Sequence, residues 1–202
     1  MATIDLSQIQ TGDRIFFLGV RNSSTKNVTL LSRLIKYGMQ LLGKQLNKPS
    51  EWIGSHACSL IVLNNKVYIC ESIDKGFVIH ALDVSYNLDT EDYVIVRNQN
   101  NYTEDQKKIL IDAAIELSAV SITYNYLNFL QWAIYILSGY ISKKHRLNLF
   151  FKNYSRINYC YQSTRLLASK VDPTVFDGNN EIVSWFDIFV PEKQKIVFDH
   201  RL

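Results

Sequence analysis

Three residues of the types that perform nucleophilic thiol chemistry sit at telling places in this 202-residue chain. Cys160 follows Tyr159 and stands two positions after Asn158, a good helix N-cap, so it falls in the first turn of an expected helix. Orphan N–H groups and the positive end of the helix dipole favour a thiolate at such a position. A thiolate is the attacking species in acyl transfer, and a histidine can take the thiol proton and return it to the leaving group. His56, after Ser55, opens the apolar run Cys58 to Leu63. Glu71, between Cys70 and Ser72, is a carboxylate suited to orienting that imidazole.

Plainer readings stand beside these. A free cysteine is as often a small buried hydrophobe. A lone strand histidine is more often a structural or rim residue, and His80, His145 and His200 rival His56. Glu71 reads equally as a solvent-facing residue of a two-sided sheet. Tyr159, and Tyr124 in the aromatic segment Tyr124 to Phe129, are candidates to line a substrate groove. Such segments are more often core with wet tyrosine tips.

A hairpin decides whether histidine and carboxylate meet. The runs His56 to Leu63 and Lys66 to Ile73 flank Asn64-Asn65, residues that tolerate the positive φ of a two-residue turn. That turn sets Leu63 opposite Lys66, Cys58 opposite Glu71, and His56 opposite Ile73. His56, Cys58 and Glu71 then share a face. His56 and Glu71 become diagonal neighbours about 7–8 Å apart at the backbone, a gap long side chains span. A slip of one residue moves Glu71 to the other face.

The remaining elements read as an α+β fold, an antiparallel sheet with packed helices. Gly12-Asp13 is a turn into a strand from Arg14 to Leu18, and polar residues Arg21 to Asn27 form a loop. Leu31, Leu34, Ile35, Leu41 and Leu42 recur at helical spacing over Val28 to Leu42, with Gly43 as the expected stop. This helix reads most simply as a packing element; Arg33, Lys36 and Lys44 give it a basic side, the lesser alternative being a membrane surface, which is not the expected partner. Phe77 to Ile79, Tyr93 to Val96 and Lys195 to Phe198 read as strands. Thr103-Glu104-Asp105-Gln106 fits a capping box opening a helix to about Ser118. Further helices are expected over Tyr126 to Tyr140 and from Asn158 through Ala168, the latter stopped by Asp172-Pro173.

Composition narrows the class. The length fits a single domain over 1–202 with a helical insertion at about 28–44. Hydrophobic residues make up 47% and charged residues 20%, as in ordinary globular chains. A net charge of +3 gives no reason to expect nucleic acid, and Lys143-Lys144-His145-Arg146 reads as a solvated loop. The three cysteines, Cys58, Cys70 and Cys160, argue against a disulfide framework, and no C-x-x-C pair points to zinc. No metal or cofactor is expected, and Cys58 and Cys70 read as core packing. The first residues have no basic and apolar leader pattern. The apolar stretch Tyr126 to Ile141 is interrupted by Asn128, Gln131 and Ser138 and is short for a membrane span. A cytoplasmic location is the expectation.

The order Gly12-Asp13-Arg14-Ile15-Phe16-Phe17, Ser55-His56-Ala57, Glu71, Tyr124-Asn125-Tyr126 and Tyr159-Cys160 resembles the circularly permuted papain-like hydrolases of the NlpC/P60 superfamily, in particular their YiiX-like branch. The resemblance spans roughly residues 11 to 190. It implies a permuted papain-like fold in which Cys160 is the nucleophile, His56 the base and Glu71 the group that orients it. It also implies the Cys160 backbone N–H as one oxyanion donor. The chain has Cys160-Tyr161-Gln162 where the family usually has Cys-Ser-Glu, and Tyr124-Asn125-Tyr126 for Tyr-Asp-Tyr. Val183 to Asp187 lacks the proline often found there. The implied activity is cleavage of an amide bond in a peptide or cell-wall-type peptide through a thioacyl-enzyme. Lipid or acyl-ester chemistry of the lecithin–retinol acyltransferase type, and non-catalytic binding on the same fold, are the alternatives.

Overall fold

The structure is a computed structural model that describes residues 4–18, 30–46, 54, 56–73, 76–89, 91–120, 134, 138, 160–174, 190 and 192–200; for 30–36 and 46 it describes the backbone alone. Six strands form one antiparallel sheet. They are β1 (Arg14–Phe17), β2 (His56–Leu63), β3 (Lys66–Ile73), β4 (Gly76–Ala81), β5 (Tyr93–Asn98) and β6 (Gln194–His200), in the order β4-β3-β2-β1-β5-β6. The described helices are α1 (Leu30–Leu46), α2 (Leu82–Ser85), α3 (Glu104–Ala119) and α4 (Cys160–Ser169), with a short 3-10 turn at Leu6–Gln8. The expected α+β class is therefore the observed one.

The hairpin forms in the expected register. Leu63 lies opposite Lys66 and Ser59 opposite Cys70, and the turn residues Asn64 and Asn65 take φ of 51° and 60°. Alternation along the strands then separates two cores. Ile15, Phe17, Cys58, Leu60, Val67, Ile69, Tyr93 and Ile95 pack on one face with Ile9 and Leu82. Ile61, Cys70 and Phe77, of opposite parity, pack with Leu110, Ala113 and Ala114 of α3 and Leu167 of α4. Burying each large aliphatic side chain contributes roughly 1.5–3 kcal/mol. With both faces covered, β1 is buried at all four positions, which is why it reads as a continuous apolar run after Arg14.

The Gly12-Asp13 turn has a steric reason. Gly12 adopts φ +96°, and a Cβ there would run into the Tyr102 ring. Its N–H donates to Leu60 O at 2.9 Å, and Leu60 N–H donates to Asp13 O at 2.8 Å, fixing the entry of β1 beside β2. The Asp13 carboxylate holds Arg97 of β5 at 2.7 Å. The capping box of α3 is present in both directions between Thr103 and Gln106.

Two expectations shift. Gly43 does not end α1, which runs on to Leu46. It lies on the buried side with Met39 and Leu42, where packing outweighs the roughly 1 kcal/mol that glycine costs in a helix interior. The strands β4, β5 and β6 are each longer than their apolar centres indicated. Of the expected helix at Tyr126 to Tyr140, Ile134 and Ser138 are described and helical; the rest lies outside the described residues, as do Asn158 and the basic run at 143–146. No helix among the described residues is long and apolar enough to cross a membrane.

Candidate active site

The site is built on the hairpin. His56 is the first residue of β2, directly opposite Phe17 of β1. Glu71 comes from β3, on the same face as His56 and Cys58, as the register requires. Its side chain is 2% exposed, and burial of a lone carboxylate at that depth is costly unless it is paired and hydrogen-bonded. Four groups converge on it. His56 Nε2 pairs with Oε2, and His80 Nε2 pairs with Oε1 at 2.5 Å. The Tyr86 hydroxyl donates to Oε2 at 2.8 Å, and the Cys58 Sγ lies 3.5 Å from the same oxygen.

This network sets the protonation states. Burial raises the Glu71 pKa, but the hydrogen bond and charge of His56, with Tyr86 and His80, outweigh burial and hold it at about 2. An ionised carboxylate only accepts, so both histidines present Nε2–H to it. In neutral His56 the basic nitrogen is then Nδ1, the one turned away from Glu71. His80 uses its own Nδ1 to contact the Ser85 hydroxyl. Burial opposes protonation of His56, yet its charge and hydrogen-bond interactions with Cys58 and Cys160 raise its pKa well above the usual histidine value. The His56 side chain keeps 23% exposure, so the site is not sealed. Phe17 stacks on both partners, 4.5 Å from the Tyr86 ring and 6.2 Å from the imidazole, and limits how far either can turn.

Cys160 opens α4 as its first residue, at the dipole's positive end. The first turn of α4 is tied to the chain on both sides of His56. The Tyr161 hydroxyl donates to Gly54 O at 2.9 Å, and the Thr164 hydroxyl lies 3.2 Å from Ala57 O. These two bonds set the start of α4 beside the histidine, whose ring interacts electrostatically with the thiol. The structure thus brings His56, Glu71 and Cys160 together. Tyr159 and Tyr124 lie outside the described residues.

Three neighbours of the trio were not foreseen in these roles. Cys58 belongs to the hydrophobic core, as expected of a buried cysteine, but its sulfur also faces the Glu71 carboxylate and the His56 ring. Burial and the Glu71 charge push its thiol pKa up, against the opposing pull of His56. The hairpin register already set Cys58 opposite Glu71, so that signal was present in the sequence. His80 lies opposite Ile69 in β4, on the face of Glu71, and a register for β3 and β4 would have found it. Tyr86 follows the four-residue α2, whose sequence carries no periodic pattern.

No family model and no curated protein sequence matches the chain. Among solved structures it is similar to a protein from Escherichia coli O157:H7 described as metalloprotein yiiX, DUF1105. The identity is 16%, the TM-score is 0.59, and the match covers 96% of this chain and 98% of that one. At that identity the likeness is one of fold, and the α+β architecture of this chain is YiiX-like.

Proposed function

We propose that this chain is a cysteine hydrolase of the permuted papain-like, NlpC/P60 kind, cleaving an amide bond of a peptide or cell-wall-type peptide through a thioacyl intermediate. The observation that carries the reading is the chain of contacts from Glu71 through His56 to a cysteine at a helix start. The YiiX-like fold is compatible with it, and the motif resemblance implies a nucleophile, a base and an orienting group at these three positions.

In this reading His56 Nδ1 takes the Cys160 proton as the sulfur attacks the substrate carbonyl carbon. The Cys160 backbone N–H, unpaired within its own helix because it is the first residue, faces the developing oxyanion. His56, now an imidazolium held by Glu71, gives the proton to the leaving amine as the C–N bond breaks. Water then enters, His56 takes its proton, and hydroxide displaces the thiolate from the thioester. Glu71 stays ionised throughout and keeps the ring oriented with Nε2–H toward itself. The name of the E. coli neighbour adds a metal to the possibilities for the same pocket, where His56, Cys58 and Glu71 gather nitrogen, sulfur and oxygen donors.

The test is hydrolysis of a panel of short peptides and cell-wall-type peptides by the full chain. Release of a free amine that vanishes in Cys160→Ala and leaves a trappable thioester in wild type supports the proposal. Turnover that survives Cys160→Ala contradicts it.

A further inference from the structure

Cys58 has no task in the thiol reaction, yet its sulfur is held at the centre of the polar cluster. The Sγ of Cys58, a ring nitrogen of His56 and a carboxylate oxygen of Glu71 all lie within 4.8 Å of one another. Four-coordinate zinc, with bonds of about 2.0–2.3 Å, sets its donors about 3.5 Å apart. The separation of Cys58 Sγ from Glu71 Oε2 is 3.5 Å already. His56 Nε2 lies closer to Oε2 than that, and an ion taking the place of the bridging proton requires these two side chains to draw apart.

We propose that His56, Cys58 and Glu71 form a binding site for a divalent transition-metal ion of the zinc class. Donor chemistry selects the class. Magnesium and calcium take oxygen ligands, whereas one thiolate, one imidazole and one carboxylate suit zinc, cobalt or ferrous iron. Coordination deprotonates the thiol outright, so the raised pKa of free Cys58 is no obstacle once the ion is present.

The outer contacts are also in place. Metal-bound carboxylates are commonly oriented by hydrogen bonds from a second layer of residues. Here His80 Nε2 holds Glu71 Oε1 at 2.5 Å and Tyr86 holds Oε2 at 2.8 Å. Phe17, stacked on Tyr86, fixes that donor in turn. The carboxylate is thus preset toward Cys58 and His56 by groups that do not themselves supply the cluster. The site shares His56 and Glu71 with the proposed thiol machinery but differs from it in cysteine: Cys58 here, Cys160 there. It stands whether or not the hydrolase reading holds.

The probe is Co²⁺, added to the reduced full-length chain. Wild type should bind one ion with a thiolate-to-cobalt charge-transfer band in the near ultraviolet, bleached by an equivalent of Zn²⁺. Cys58→Ser should lose that band, and Cys160→Ser should keep it. No band in wild type, or a band lost in Cys160→Ser and kept in Cys58→Ser, overturns the proposal. Should Cys58→Ser fail to fold by circular dichroism, Tyr86→Phe decides. It removes only an outer hydroxyl and should weaken Co²⁺ binding about tenfold, whereas unchanged affinity overturns the assignment.

Discussion

His56 and His80 grip the same carboxylate from its two oxygens, and their imidazoles meet different neighbours. His56 interacts with the thiols of Cys160 and Cys58, and His80 contacts the hydroxyl of Ser85 on the exposed end of α2. Both imidazoles are partly exposed, at 23% and 28%, so burial does not separate them. What separates them is position in the sheet. His56 begins β2 where α4 is tied down by the Tyr161 and Thr164 hydroxyls, and His80 lies in the edge strand β4. A carboxylate can orient any histidine within reach; a nucleophile delivered by another element makes one of them a base.

The largest expected effect is at the nucleophile. Cys160→Ala should lower the kcat/KM for any substrate the chain cleaves by about ten-thousandfold or more. His56→Ala should cost about a thousandfold. His80→Ala, which removes only a second grip on Glu71, should cost about tenfold or less. Equal losses in His56→Ala and His80→Ala would erase the distinction between the two histidines.

Glu71→Gln strikes both histidines at once. It removes the partner of two imidazoles inside the sheet, and a loss of about 3 kcal/mol of stability is expected in urea unfolding at neutral pH. The acid limb should change with it. The Glu71 pKa is depressed in the folded chain, from near 4.5 unfolded to about 2. Its stabilising contribution is therefore complete above about pH 4.5 and is lost as pH falls toward 2. Wild type should lose stability across that window and Glu71→Gln should lose less. His56 runs the other way: its raised pKa stabilises the fold fully below about 6.5, and that share fades as pH rises through the higher folded value. His56→Ala should flatten the alkaline limb.

Two remote changes serve as controls on the comparison. Gly12→Ala forces a side chain into positive φ against Tyr102 and should cost about 2 kcal/mol. Thr103→Ala removes one half of a capping box and should cost about 1 kcal/mol. Chemical denaturation measures both, and neither should alter the ratio of the His56 to His80 effects.

Local rules made much of this legible. Asn64-Asn65 sets a turn, the turn sets the register, and the register alone puts Glu71 on the face of His56. The capping box at Thr103 is equally local. The less legible parts depend on neighbours far away in sequence. Gly43 looked like a helix stop because its burial is imposed by the tertiary structure. Tyr86 follows a single helical turn with no repeating pattern, yet its hydroxyl reaches a carboxylate fifteen positions earlier. Cys58 looked like core because one side of it is core; its sulfur also faces the charged cluster, and composition cannot distinguish the two.

Site-resolved alkylation tests the central pairing of Cys160 with His56 most directly. All three cysteines are buried, so bulk accessibility does not rank them. The reduced chain is treated with limiting iodoacetamide at pH 7, and the modified peptides are quantified by mass spectrometry. Cys160 should react at least about tenfold faster than Cys58 and Cys70, and His56→Ala should abolish that advantage. Equal rates at the three cysteines, or a Cys160 rate unmoved by His56→Ala, would contradict the pairing.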